Sequence, residues 1–161
     1  MKPIIFLMAP IVSVMAACAS MSGPVSVADT IGRNPQLSTL DGLVQKAGLT
    51  GMLKDSGPYT VFAPTNDAFK AVSAKTMDDL AKDPAKLKEL LSYHVLPAKV
   101  LSTDMKNGNV KTAQGGNVAL SKAGDFVTVE EAMVQTANIA ASNGVVHTVD
   151  RVLIPPAPVR R

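Results

Sequence analysis

Tyr59-Thr-Val-Phe-Ala-Pro-Thr-Asn-Asp-Ala-Phe69 places the end of one element and the start of another within a few residues. Tyr59 to Ala63 are aromatic, β-branched or small, a composition that suits a short buried strand. Pro64 ends the run, because it has no N–H to give to a sheet ladder. Thr65 then offers a side-chain oxygen to the first free N–H groups of a helix. Asp67 puts negative charge near the helix's positive end, and Ala68, Phe69 and Val72 supply an apolar side. The chain is expected to pass from strand to helix with no loop between.

Working outward, Leu37, Leu40, Leu43, Val44 and Ala47 recur at helical spacing, with Ser38 as the N-cap and Gly48 as the stop. Gly51 to Pro58 reads as a turn-rich break. Downstream, Asp83-Pro84 sets an N-cap and a proline at the first helical position ahead of Leu87, Leu90 and Leu91. That helix runs into Ser92-Tyr-His-Val-Leu-Pro97. The last third carries turn signals at Asn107-Gly, Gln114-Gly-Gly-Asn117, Ala123-Gly-Asp125 and Ser142-Asn-Gly144, which separate short segments rich in Val, Leu and Thr. Helices first and hairpins afterwards predict an α+β domain, a sheet partly covered by helices.

At 161 residues the chain holds one domain's worth of core. Met1-Lys2 followed by an apolar run to Ala17 reads as a signal peptide over residues 1–17. Met15-Ala-Ala-Cys18 is similar to a bacterial lipobox, and the chain's sole cysteine falls where lipidation requires it. Several acyl chains on Cys18, at about 0.8 kcal/mol per buried methylene, make a lasting membrane anchor. Ala19, not an aspartate, follows the cysteine, and by resemblance to sorted lipoproteins this favours the outer membrane. Residues 18–28 are the expected lipidated cysteine and spacer, 29–156 the domain, and 157–161 a tail. Beyond Lys2, fifteen Lys and Arg against 13 acidic residues leave a formal charge of +2. The lysines are scattered, and no Trp is present to stack a base. Nucleic-acid binding is therefore not expected, and the partners expected are envelope or extracellular matrix proteins met by a monomeric domain.

Three stretches in this order resemble the signature blocks of the fasciclin (FAS1) domain family. They are Tyr59 to Phe69, Leu91-Ser-Tyr-His-Val-Leu-Pro97, and Gly144-Val-Val-His-Thr-Val-Asp-Arg-Val-Leu-Ile-Pro155. The resemblance covers about residues 28–156. It implies a FAS1-like β-sandwich or wedge with several helices packed on one side, found in secreted and surface-attached proteins associated with adhesion. Animal members that support integrin-dependent adhesion resemble this chain at Tyr93-His94. Their Asp-Ile pair stands here as Asn138-Ile139, which lacks the acidic contact that integrins favour. Tyr93, His94, Asn138 and Ile139 are thus the interaction residues that the resemblance implies. Thr65, Asn66, Asp67, His147 and Asp150 belong to its structural signature.

His147 and Asp150, close in sequence, could suggest catalysis or a metal. Strand alternation places His147 with Val145 and Val149 on one face and Asp150 with Val146 and Thr148 on the other. They form no local dyad. The histidines stand in neither an HxH nor an HExxH arrangement, and no GxSxG elbow is present, so no catalytic residue, metal or cofactor is expected. A histidine amid β-branched residues reads as a neutral imidazole with both nitrogens satisfied. The competing reading is a small-ligand carrier or hydrolase that uses a cleft near Tyr93-His94.

Overall fold

A computed structural model describes residues 25–55 and 57–156, so the expected signal peptide, Cys18 and the 157–161 tail lie outside the described residues. Its frame is a seven-stranded sheet in the order β2-β1-β7-β6-β5-β4-β3. The strands are β1 Tyr59–Pro64, β2 Val95–Leu96, β3 Gly108–Lys111, β4 Asn117–Ala123, β5 Phe126–Val129, β6 Ala132–Ala141 and β7 Gly144–Val149. From β3 to β7 the chain is an antiparallel meander, and three of its four turns fall at the Gly-rich signals.

Two features of the sheet had no sequence signal. The β5–β6 turn contains no glycine, and Glu130 takes φ +54 there. Such a backbone is uncommon outside Gly and Asn. Glu130 is held by its own carboxylate, whose Oε1 accepts from the Ala119 N–H at 2.8 Å and from the Tyr93 hydroxyl at 3.4 Å. The second feature is β1, which pairs with β7 in parallel, Tyr59 opposite Gly144 and Phe62 opposite His147. A Cβ at position 144 would overlap the Tyr59 carbonyl, so the first residue of β7 must be glycine for the two backbones to meet.

The sheet curls nearly shut. The Ala113 N–H, in the β3–β4 turn, donates to the Val95 carbonyl of β2 at 2.8 Å, joining the two edges. Alternation on the central strands then feeds two cores. Phe62 and Val149 point inward with Leu96, Val118, Leu120, Val127, Val129 and Leu153. Val61, Ala63 and Val146 point outward and are covered by helical Ile31, Leu37, Leu40, Val44, Leu53, Leu87, Leu90 and Leu91. Both faces of β7 are buried, so valines stand on both of its faces and its two polar residues, His147 and Thr148, are enclosed as well.

The helices are α1 Val27–Arg33, α2 Ser38–Lys46, α3 Thr50–Lys54, α4 Asn66–Lys70, α5 Ala74–Lys82 and α6 Pro84–Tyr93. Thr65 caps α4 and Asp83 caps α6. Three expectations are corrected. The packed domain includes Val27 and Ala28, both buried in α1, so the spacer does not extend to residue 28. The break after Gly51 holds α3, which buries Leu53 despite its turn-rich composition. Ser38 is the first residue of α2, not its N-cap; Leu37 occupies that position without a side-chain bond. The missing cap comes from elsewhere: Asn66 Oδ1, on α4, accepts the Thr39 N–H at 3.0 Å.

Candidate functional site

Phe62 links the two histidines. Its N–H donates to the His94 carbonyl at 2.9 Å, while its ring stacks on the His147 imidazole, with centroids 5.8 Å apart. Neither imidazole is free. His94 terminates α6 and is 1% exposed; its Nδ1–H donates to the Leu90 carbonyl at 2.8 Å and its Nε2 accepts the Leu153 N–H at 2.9 Å. His147 is fully buried on β7 and uses the opposite tautomer. Its Nδ1 accepts the Asn138 N–H at 3.1 Å, and its Nε2–H donates to the Val100 carbonyl at 2.9 Å.

Burial disfavours the charged ring more than the carbonyl partner favours it. It pushes His94 down to about 4 against the Leu90 carbonyl, and it lowers His147 against the Val100 carbonyl. Each ring is therefore neutral near pH 7, with one donor and one acceptor spent on main-chain groups. Such a histidine ties segments together and has no lone pair left for a metal or a substrate proton.

Tyr93 is 2% exposed, and its hydroxyl donates to the Asn117 carbonyl at 3.0 Å. Burial chiefly, and the Glu130 carboxylate after it, raise its pKa. The expectation of an interaction surface and a cleft at Tyr93-His94 is thus corrected. The end of α6 is enclosed by β1, by the β3–β4 turn and by Leu153, and Tyr93 packs into the inner core with Leu96, Met105 and Val118.

The Asn138-Ile139 pair does reach the surface. β6 carries two register shifts against β7, between Val134 and Thr136 and between Thr136 and Ile139. The second contains Asn138 at φ +58. Extra residues in one strand force a local bend and turn a side chain out of the ladder. Asn138 uses it to clamp the loop after β2: Ser102 N–H donates to its Oδ1 at 2.9 Å, and its Nδ2 donates to Ser102 Oγ at 2.7 Å. Ile139 is half-buried and packs against the helix-side core.

Of the remaining signature residues, Thr65, Asn66 and Asp150 are also joints. Thr65 Oγ1 accepts the Ala68 N–H. Asn66 reaches back to the Pro35 carbonyl, Ser38 and Thr39, tying α4 to α2. Asp67 lies on the surface beside Lys70 at 2.9 Å. Asp150, just past β7, accepts the Met133 N–H at 2.7 Å and has no contact with His147. Among the described residues no group of three or more His, Cys, Asp or Glu is placed to hold a metal ion. Sequence reasoning missed Val100 and Ser102, which carry no motif, and gave Leu153 no role of its own within the closing block, yet these residues hold the other ends of these bonds. It also read Asn143 as a turn residue only. Its side chain accepts the Val27 N–H and donates to the Leu53 and Asp55 carbonyls, pinning α1 and α3 to the β6–β7 turn.

The chain folds as a curled sheet with helices on one flank, and most of its signature polar residues are spent on internal joints. A model of the fasciclin domain matches residues 35–155. The chain is 36% identical over 146 residues to protein sll1483 of Synechocystis, covering 89% of this chain and 81% of that protein. It is 35% identical over 140 residues to the cell surface glycolipoprotein MPB83 of Mycobacterium bovis, covering 81% of this chain and 61% of that protein. A solved FAS1 domain pair from the insect cell adhesion molecule Fasciclin I shares the fold with a TM-score of 0.65 at 14% identity, over 81% of this chain and 51% of that one. The chain belongs to the fasciclin domain family.

Proposed function

We propose that this chain is a non-enzymatic adhesion and interaction module, anchored through a lipidated Cys18 to the bacterial envelope, with the outer membrane favoured, and facing the periplasm or the cell surface. It binds envelope or matrix proteins through its surface. The observation that carries the reading is the state of the two histidines. Both are neutral, buried and bonded at both nitrogens, so the chain's best candidates for chemistry are committed to holding the fold. What is left outside is a surface with exposed Phe126, Met133 and Ile154 and the bulge at Asn138. The cell-surface likeness of MPB83 and the Met15-Ala-Ala-Cys18 stretch support an exported, lipid-held placement. Cell fractionation of Cys18→Ser tests the anchor: the variant should leave the membrane fraction while its circular dichroism stays unchanged, and continued membrane retention would refute the lipoprotein. Capture of envelope proteins by the folded domain, compared with a Phe126→Ser and Met133→Ser surface variant, tests the module. Capture that the double substitution leaves intact would remove that face from the reading.

A further inference from the structure

Asp150 to Pro156 leave β7 and continue with neither helix nor strand. Concavities flank this strap on both sides. One of about 260 Å³ lies against the β5–β6 turn at Glu130 and Glu131. Another of about 470 Å³ lies against Ala68, Val72 and Thr76, and a third of about 220 Å³ against Leu80 and Leu90. Ile154 borders all three and is 62% exposed. The strap is held at two points. Asp150 exchanges two bonds with Met133, its N–H donating to the Met133 carbonyl at 3.1 Å and its Oδ1 accepting the Met133 N–H at 2.7 Å. Leu153, its side chain in the inner core, gives its N–H to His94.

We propose that His94 is an acid-operated latch for this strap: the neutral ring holds the Leu153 N–H, and protonation frees Val152 to Pro156 while the sheet stays paired. Because Nδ1–H already donates to the Leu90 carbonyl, an added proton has one place to go, Nε2. There it sets a ring N–H against the Leu153 N–H, two donors with no acceptor between them. The bond becomes a repulsion at the strap's central anchor. The pairing of β1 with β7 has no such dependence, since the two strands are joined by main-chain bonds over six register pairs.

The titratable groups around His94 are otherwise engaged. On α6, Tyr93 is turned to the Asn117 carbonyl and Glu130, and Glu89 accepts from Gln114. On β7, His147 faces Asn138 and Val100. On the strap and the β5–β6 turn, Asp150 faces Met133, and Arg151 lies 3.9 Å from Glu131. The proton affinity of His94 is set by burial and the Leu90 carbonyl, which place it at about 4. The strap is therefore held above that pH and released as pH falls through it. Release withdraws Leu153 from the inner core and opens the walls of α5 and α6 beneath Ile154.

Amide exchange of the full chain, followed by NMR between about pH 6.5 and 3.5 and corrected for intrinsic rates, tests the latch. The Leu153 amide should lose about tenfold or more of its protection with the same midpoint as the His94 ring, while the Phe62 and Val146 amides keep theirs. In His94→Gln, whose amide oxygen keeps an acceptor in reach and does not titrate, Leu153 should stay protected through the acid range. His147→Gln should leave the Leu153 midpoint in place. Simultaneous loss of protection at Leu153 and Val146, or a Leu153 amide that stays protected after His94 has titrated, would overturn the proposal. The wild-type comparison decides even if the His94 variant does not fold.

Discussion

The Asn138 N–H donates to Nδ1 of His147 at 3.1 Å, so an imidazole from β7 closes the bulge that β6 opens against it. The same ring donates to the Val100 carbonyl, which ties the loop after β2 to the sheet. His147→Ala leaves both main-chain groups without partners, at about 1 to 3 kcal/mol each, and removes the stack on Phe62. The expected result is a loss of about 3 kcal/mol or more in urea denaturation and a Tm lower by roughly 10 °C. An unchanged Tm would show that water replaces the ring.

Acid weakens the fold through its histidines. Both have folded-state pKa values below the ordinary 6.5, His94 at about 4, so the unfolded chain binds more protons in that window. The stability from the neutral rings is fully present above about pH 6.5 and is lost progressively as pH falls toward 4. For His94 alone the loss across the window is on the order of 3 kcal/mol, from 1.36 kcal/mol per pH unit. Urea midpoints measured from pH 7 to pH 4 should fall with this slope, and His94→Gln should flatten it.

Asn66 gives α2 a cap that α2 does not encode. Asn66→Ala removes the acceptor for the Thr39 N–H and the donor to the Pro35 carbonyl. The expected cost is about 1 to 2 kcal/mol, the range of a lost N-cap. Asn66→Asp should recover part of it, because a carboxylate still accepts from Thr39. Equal losses in the two variants, read by thermal unfolding, would place the effect in the amide donor instead.

Two glycines should respond with opposite sign. Gly144→Ala drives a methyl into the Tyr59 carbonyl and separates β1 from β7, at a cost of about 3 kcal/mol or more. Gly42→Ala, inside α2 with nothing within 4 Å of the added Cβ, should stabilise by about 0.5 to 1 kcal/mol. Paired denaturation curves check both.

Local chemistry was readable wherever a residue's role is decided by its near neighbours in sequence. Thr65 and Asp83 sit at helix starts because their side chains reach N–H groups two or three residues on, and the glycine turns of the meander follow from backbone freedom. Glu130 was not readable as a turn residue. Its left-handed backbone is held by Ala119 and Tyr93, from two other elements. Helix α3 was hidden for a related reason: its segment has turn composition, and burial of Leu53 against the helix-side core decides its state.

The same boundary runs through the candidate site. Sequence alone set the family blocks, the order of helices before hairpins, and the separation of His147 from Asp150, since strand alternation is a two-residue property. Only the tertiary structure decided that Tyr93 and His94 are enclosed, that the two histidines use opposite tautomers, and that β1 lies parallel to β7. A ring's tautomer and burial depend on which carbonyl and which N–H come to face it. For His94 and His147 those groups lie on Leu90, Leu153, Asn138 and Val100, and Leu153 and Val100 stand 59 and 47 positions from the rings they meet.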